Sequence, residues 1–371
     1  MRVLLVSKAC LVGTYQTKLE AIARNDEVEL TVIVPSSWQD SAGVVELERS
    51  HTDGYQLFVD PIRFNGHYHI HYYPRMKERL RGVQPHILHI DEEPYNFATW
   101  RAMREARKYG VKSLFFSWQN IERRYPFPFS LMEKQSLAMA DYAIFGNKES
   151  QNVWKAKGYS GPSAVIPQFG IDPELFKAAS HRDEGRGFNI GSAARRLIPE
   201  KGLDLLLMAV SEMDGLWRLH IAGEGPERPY LERLAQKLGI AERVYFDGPI
   251  PSAAMPAYLS QLDVLVVPSR TMLNWKEQFG RVLIEAMACQ VAVIGSNSGE
   301  IPNVIAQAGL IFPEEDVEAL RNHLSALQKH PDMLESYKHA GRRRVLDHYT
   351  QEQVAAQTVE IYKQMMTFDM S

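Results

Sequence analysis

The sequence predicts two doubly wound α/β domains in series. Three observations carry this expectation. The chain has 371 residues, more than a single hydrophobic core usually serves. Short β-rich runs alternate with stretches of helical spacing, as in parallel βα units. That alternation breaks once, across residues 176–187, and then restarts.

The first run, "VLLV" (3–6), reads as a buried strand, because Lys8 interrupts the apolar stretch too early for a secretory leader. Further strands are expected at 28–34, 87–90, 113–116, 142–145 and 163–166. Between two of them, 98–109 has helical spacing and ends at Gly110, a residue suited to a helix C-terminus. "FKAASHRDEGRG" (176–187) is charged and has no apolar period, so it reads as a linker between a domain 1–175 and a domain 188–349. After it come "FNIGS", "WRLHIA", "RVYF", "DVLVVP", "VAVIG" and "GLIF". Leu203, Leu206, Leu207 and Val210 stand at i, i+3, i+4 and i+7, the stripe of a core-facing helix. The last helix, 350–366, has Val354, Thr358, Ile361, Tyr362 and Met365 on one face. It either caps the second domain or crosses back onto the first. A ligand is expected in the cleft between the domains, at the carboxyl ends of the strands.

Composition narrows the function. A net charge of −3 and a pI near 6.5 carry no overall signal for nucleic acid. Cys10 and Cys289, far apart and in apolar contexts, suit neither a disulfide framework nor a zinc site. No stretch reaches the ~20 apolar residues of a membrane helix. The expected location is cytoplasmic, with the inner face of a membrane as the alternative.

Four stretches hold residues that can do chemistry. "IAGEGPE" (221–227) offers a glycine turn at a strand end but lacks the third glycine of a dinucleotide fingerprint and the Lys-Ser/Thr of a P-loop. It is a phosphate turn or only a tight turn. "LVGTYQ" has one glycine, Gly13, where a nicotinamide fold shows three. In "ARRLIPEKGLD" a pair of arginines ends a strand and Lys201-Gly202 opens a helix, a placement that neutralises a diphosphate or forms a charged loop. In "NWKEQFGRVLIEAMA" Gly280 and Arg281 begin a helix whose first N–H groups can receive an anion. Glu277 stands just before that helix and Glu285 within it, as sugar-binding carboxylates or as a solvated face.

Together and in this order, these motifs resemble retaining glycosyltransferases of the GT-B fold, specifically glycosyltransferase family 4. The resemblance covers nearly all of the second half: Arg196, Leu197, Lys201 and Gly202; "GEGP"; "YFDGPIP" with "MPAYLSQLDVLVVPS"; Glu277 and Glu285 as a Glu-x7-Glu pair; and "SGEIPNVI". It implies two Rossmann-like domains facing across a cleft and a final helix that crosses back. It implies that Arg196 and Lys201 hold the donor diphosphate and that Glu285 binds the ribose. Glu277, Phe279 and Gly280 would contact the transferred sugar, with Arg281 at the helix start. Gly223 and backbone near Tyr245 and Phe246 would frame the nucleotide. The implied activity is hexosyl transfer from a UDP- or GDP-sugar to a hydroxyl of a surface glycan or lipid-linked precursor, with retention and without an obligatory cofactor or metal. A GT-B nucleotide-sugar epimerase is the enzyme alternative, and a nucleotide-sugar-binding protein without turnover is the other.

The first half resembles the family less. Gly13 sits where many members have two glycines near the donor phosphates. Gln119 and Asn120 follow "LFFSW" where many members have a histidine contacting the donor sugar. Glu92 and Glu93 follow the strand 87–90; with His89 and Asp91 they read as structural groups, as an acceptor-facing rim, or as a metal cluster. No Asp-x-Asp motif is present to hold a divalent metal against a diphosphate. "PRMKERLRGV" (74–83) reads as a domain helix with a basic outer face, or as one that docks on anionic lipid. "NIERRYPFPF" (120–129) places arginines and aromatics together, for an anionic acceptor or for loop packing.

Overall fold

The structure, a computed structural model, describes residues 1–40, 43–178 and 187–367. The chain divides into two compact units: Met1–Gly170 with Gln351–Ser371, and Ile171–Thr350. The segment 176–187 read as a linker is described only at its two ends, since 179–186 lie outside the described residues.

The first unit is built on strands β1 (Arg2–Val6), β2 (Glu29–Val34), a β3–β4 hairpin (Ser37–Asp40, Gly43–Glu46), β5 (Gln56–Val59), β6 (Ile87–Ile90), β7 (Lys112–Ser117), β8 (Tyr142–Phe145) and β9 (Ser163–Val165). Apart from the hairpin they form one parallel seven-stranded sheet in the order β5-β2-β1-β6-β7-β8-β9. The chain reverses direction across the sheet at β1, which puts the loops after β1 and β6 side by side, with Val3 beside Ile87 in register. Helices α1 (Thr17–Ala23), α2 (Met76–Val83), α3 (Phe97–Lys108), α4 (Phe129–Met139) and α5 (Lys148–Ala156) complete this part of the chain.

The basic helix of 74–83 spends its apolar face inside the unit: Met76 and Leu80 are buried with Leu4, Leu88 and Ala102. Arg79 on its other side grips Asp60 through two nitrogens, at 2.6 and 2.9 Å. Only its polar face is left for anything else.

The second unit has the parallel order β12-β11-β10-β13-β14-β15, from β10 (Phe188–Arg196), β11 (Trp217–Glu224), β12 (Val244–Gly248), β13 (Val264–Val267), β14 (Ala292–Ser296) and β15 (Leu310–Phe312). Helices α6 (Leu203–Ser211), α7 (Arg228–Lys237), α8 (Met255–Leu259), α9 (Arg281–Ala288), α10 (Ile301–Ile305), α11 (Val317–Lys329) and α12 (Pro331–His348) cover it. The sequence order again breaks at the centre, where β10 pairs with β13 and Ile190 lies beside Val264. One core, with Ile190, Leu206, Leu219 and Leu324, fills one face; a second, with Leu265, Leu283, Ile284 and Val293, fills the other.

Helix α13 (Gln351–Thr367) belongs to the first unit. Val354, Val359, Ile361, Tyr362 and Met365 are buried with Val3, Leu19 and Ile22. Among the described residues no helix is long and apolar enough to cross a membrane.

Candidate functional site

The break in strand order at β10 and β13 brings together residues far apart in sequence. The end of β10, the turn before α6, the loop after β13 and the start of α9 enclose a cavity of about 160 Å³. Arg195, Lys201, Ser269, Glu277, Gly280 and Arg281 are among its walls. Lys201 Nζ donates to Glu277 Oε2 at 2.8 Å, and Ser269 Oγ donates to the same oxygen at 3.1 Å. The ammonium also stands 4.7 Å from the centre of the Trp275 ring. Lys201, partly sheltered and paired with one carboxylate, has donor capacity for a further anion, because an ammonium has three donors.

Glu277 is held from its backbone. Its carbonyl accepts from Glu300 N at 3.1 Å, and Gly299 packs against it with φ 53°, so closely that a Cβ there would lie 2.0 Å from the Glu277 oxygen. Gly280, in the left-handed region at φ 72°, turns the chain from Glu277 into α9. A residue with a Cβ is disfavoured in that conformation. This is the reason for a glycine between the two carboxylates, despite its poor helix propensity.

Inside α9, Arg281 Nε donates to Glu285 Oε1 at 2.9 Å, the i,i+4 pairing of one helix face. Burial pushes the Glu285 carboxyl above its usual range, and Arg281 draws it part of the way back.

Sequence reasoning did not single out Arg270, which organises the turn carrying Lys201. Its guanidinium grips Asp204 with two bonds of 2.8 Å and reaches Glu315 at 2.5 Å, and its backbone N donates to Glu200 O at 2.8 Å. The signal was available: Ser269 and Arg270 follow the apolar strand β13 after a single proline, where side chains reach a strand-end site.

The other candidates lie elsewhere. Both arginines of the pair are exposed; Arg195 is on the cavity wall, while Arg196 stands in register with Glu224. Gly223 packs tightly beside the Ala194 carbonyl at the end of β11. Tyr245 is exposed and stacks on His220 at 4.9 Å, whereas Phe246 packs against the core with Arg228 over its ring. Phe279 packs edge-on to Tyr349 at 5.8 Å.

In the first unit, the Gly13 N–H already meets an anion: it donates to Glu48 Oε2 at 2.7 Å. Gln16 ties the same strap down, accepting from Ser50 N and His51 N and donating to the Glu48 carbonyl. Glu93 accepts from Ser117 Oγ at 2.5 Å and from Trp118 N at 2.8 Å, and burial pushes its carboxyl up to about 7. Gln119 accepts from Tyr125 Oη at 2.7 Å, with its Nε2 buried and without a partner, and Asn120 donates to Glu149 at 3.3 Å.

Glu92 is buried against Lys8 and lies 3.5 Å from His71. Burial raises its pKa, but these two groups outweigh burial and hold it at about 2. His89 bonds Tyr362 at 2.6 Å, and Asp91 accepts from Ser7 and Gln168. The four residues of the metal alternative therefore face different partners. Among the described residues no group of three or more His, Cys, Asp or Glu side chains is placed to hold a metal ion.

Two Rossmann-like units of parallel sheet, the second with a cationic cavity at its central strand ends, define a protein of the GT-B fold. Solved structures agree in fold. Sucrose-phosphate synthase from Thermosynechococcus elongatus matches with TM-score 0.73 at 20% identity over 99% of each chain. The Anabaena protein HepE, solved in complex with UDP, matches with TM-score 0.74 at 16% identity over 98% of this chain and 100% of its own. In sequence, residues 183–344 match the family model described as glycosyl transferases group 1.

The GDP-mannose-dependent alpha-(1-6)-phosphatidylinositol monomannoside mannosyltransferase of Mycolicibacterium smegmatis is 31% identical over 217 residues, 54% of this chain and 57% of that one. The MMP alpha-(1->4)-mannosyltransferase of Mycolicibacterium hassiacum is 32% identical over 207 residues, 54% of this chain and 47% of that one. The chain thus spans about half the length of these curated relatives.

Proposed function

We propose that the protein is a retaining glycosyltransferase that moves a hexosyl group from a nucleoside diphosphate sugar to a hydroxyl acceptor. The observation that carries this reading is the convergence of Arg195, Lys201 and the first turn of α9 on one cavity that also holds Glu277. In the reaction the bond from the anomeric carbon to the diphosphate breaks, and a bond to the acceptor oxygen forms on the same face. The acceptor proton passes to the departing diphosphate oxygen. The cations and the helix start stabilise the charge that grows there, in place of a divalent metal. Glu277 holds the transferred sugar, and Glu285 accepts from the ribose hydroxyls.

The first relative's name makes GDP-mannose the first donor to try and phosphatidylinositol monomannoside the first acceptor. The full chain is incubated with GDP-mannose, and in parallel with UDP-sugars, with and without EDTA. Products are read by NMR. Retained configuration at the anomeric carbon with chelator present is expected. Inverted products, or activity that needs added Mg²⁺ or Mn²⁺, overturn the mechanism. Conversion of the donor without any acceptor identifies an epimerase or hydrolase instead.

A further inference from the structure

One surface of the first unit collects exposed apolar side chains. Six large apolar side chains protrude from it: Val44, Phe64, Tyr68, Ile70, Phe127 and Leu131, with Phe127 exposed to 79%. The segments that carry them are tied together. Asn65 Nδ2 donates to Ser37 O at 3.1 Å and its Oδ1 accepts from Gln39 N at 3.0 Å, which joins the β3–β4 hairpin to the loop 63–72. His69 joins that loop to 121–131, its ring 5.6 Å from Tyr125 and 5.3 Å from Phe129. Phe97 N donates to His69 O at 2.9 Å, so the start of α3 belongs to the same surface.

Cations are interleaved with these rings. Arg101 lies over Tyr72 at 4.4 Å and Arg104 over Trp100 at 5.2 Å. Arg63, Arg123, Arg124 and Lys134 are exposed on the same loops and on α4. Among the described residues of 43–46, 60–73, 97–104 and 121–134, the exposed carboxylates are Glu46 and Glu122. A chain with a net charge of −3 therefore gathers positive charge around these exposed apolar side chains. Ordinary soluble surfaces keep exposed apolar groups scattered.

We propose that this surface docks on an anionic lipid bilayer, with Phe64, Phe127 and their neighbours entering the headgroup layer and the arginines meeting lipid phosphates. Rings whose guanidinium partners lie over them suit the boundary between hydrocarbon and water, and each cation adds attraction to a negative leaflet. The basic helix α2 is not the docking element, because its apolar face is buried in the unit. The inference does not depend on the cavity of the second unit, and either can fail alone.

The full chain is sedimented with phosphatidylcholine vesicles and with vesicles containing phosphatidylglycerol. Pelleting with the anionic vesicles alone, weakening as salt rises, is expected. Phe64→Ser with Phe127→Ser should lower partition at least about tenfold, and Arg123→Gln with Arg124→Gln about fivefold per arginine. Leu216→Ser, at a residue 75% exposed in the second unit, should change nothing. All four replaced positions of the patch are exposed, and matching thermal melts establish that the variants fold. Failure of the wild type to bind anionic vesicles at low salt overturns the proposal, as does equal binding by wild type and variants. If the same substitutions instead abolish a self-association seen by sedimentation velocity, the surface is an interface between copies and the proposal is wrong.

Discussion

Lys201 Nζ and Glu277 Oε2, 2.8 Å apart, form an ion pair between the turn before α6 and the loop before α9. The cation assigned to the diphosphate and the carboxylate assigned to the transferred sugar are thus electrostatic partners before any donor arrives. Glu277→Gln removes the competing charge from Lys201 and should leave the affinity for free GDP or UDP unchanged, or raise it up to about tenfold. Turnover should fall about 100-fold, because the lost contact lies at the reacting sugar. Calorimetry and transfer kinetics on the one variant check both halves. A variant that loses diphosphate affinity and turnover in equal measure contradicts this division of roles.

The arginine pair makes a sharper test of the cavity. Arg195 is on its wall and Arg196 is beside Glu224. Charge-assisted bonds contribute roughly 1.5–3 kcal/mol each, so Arg195→Ala should weaken the free diphosphate at least about tenfold. Arg196→Ala should have the smaller effect. The reverse ranking by calorimetry would put the diphosphate on the other side of β10.

The ordering of strands and helices was legible in the sequence because two periods, 2 and 3.6, separate them cleanly. Leu203, Leu206, Leu207 and Val210, read as one helix face, are all buried in α6. The pairing of Lys201 with Glu277 was not legible, because it depends on β10 lying beside β13, a strand far from it in sequence, on the side away from β11. Nor does any local pattern say that Glu48 reaches the Gly13 N–H, since the contact is made by an irregular strap. The choice between Arg195 and Arg196 rests on a register shift near the end of β10, one residue's worth of twist that a strand pattern does not encode.

Gly299→Ala should damage the site without touching its charged groups. A Cβ there meets the Glu277 carbonyl oxygen at 2.0 Å, in a backbone conformation already unfavourable for alanine. The loop carrying Glu277 must move, and an ångström of misplacement at a reacting centre lowers rates by about 100-fold. The expected signature is a large fall in turnover with a modest fall in melting temperature. Unaltered kinetics would mean that the position of Glu277 does not matter to the chemistry.

Glu285 gives a pH dependence with a definite sign. Burial raises its pKa and Arg281 restrains the rise. Only the carboxylate accepts from ribose hydroxyls on both oxygens, so nucleotide affinity should be lost as pH falls through the raised pKa. Arg281→Gln lifts the restraint, the pKa climbs further, and the loss should begin at higher pH. Diphosphate affinity measured across the acidic range checks this. A profile of the variant parallel to the wild type, lower at every pH by one factor, would remove Glu285 titration as the cause.

The strand-like bridge between Ile171 and Thr350, with Ile171 N donating to Tyr349 O at 2.7 Å, holds the two ends of the second unit next to each other. Topologically that unit is a loop spliced into the first, which is closed only when α13 arrives. The α13 side chains that pack with Leu19 and Ile22 are separated from them in sequence by all of 171–350. The second unit is continuous in sequence. Damage to α13 is therefore expected to destabilise the first unit before the second.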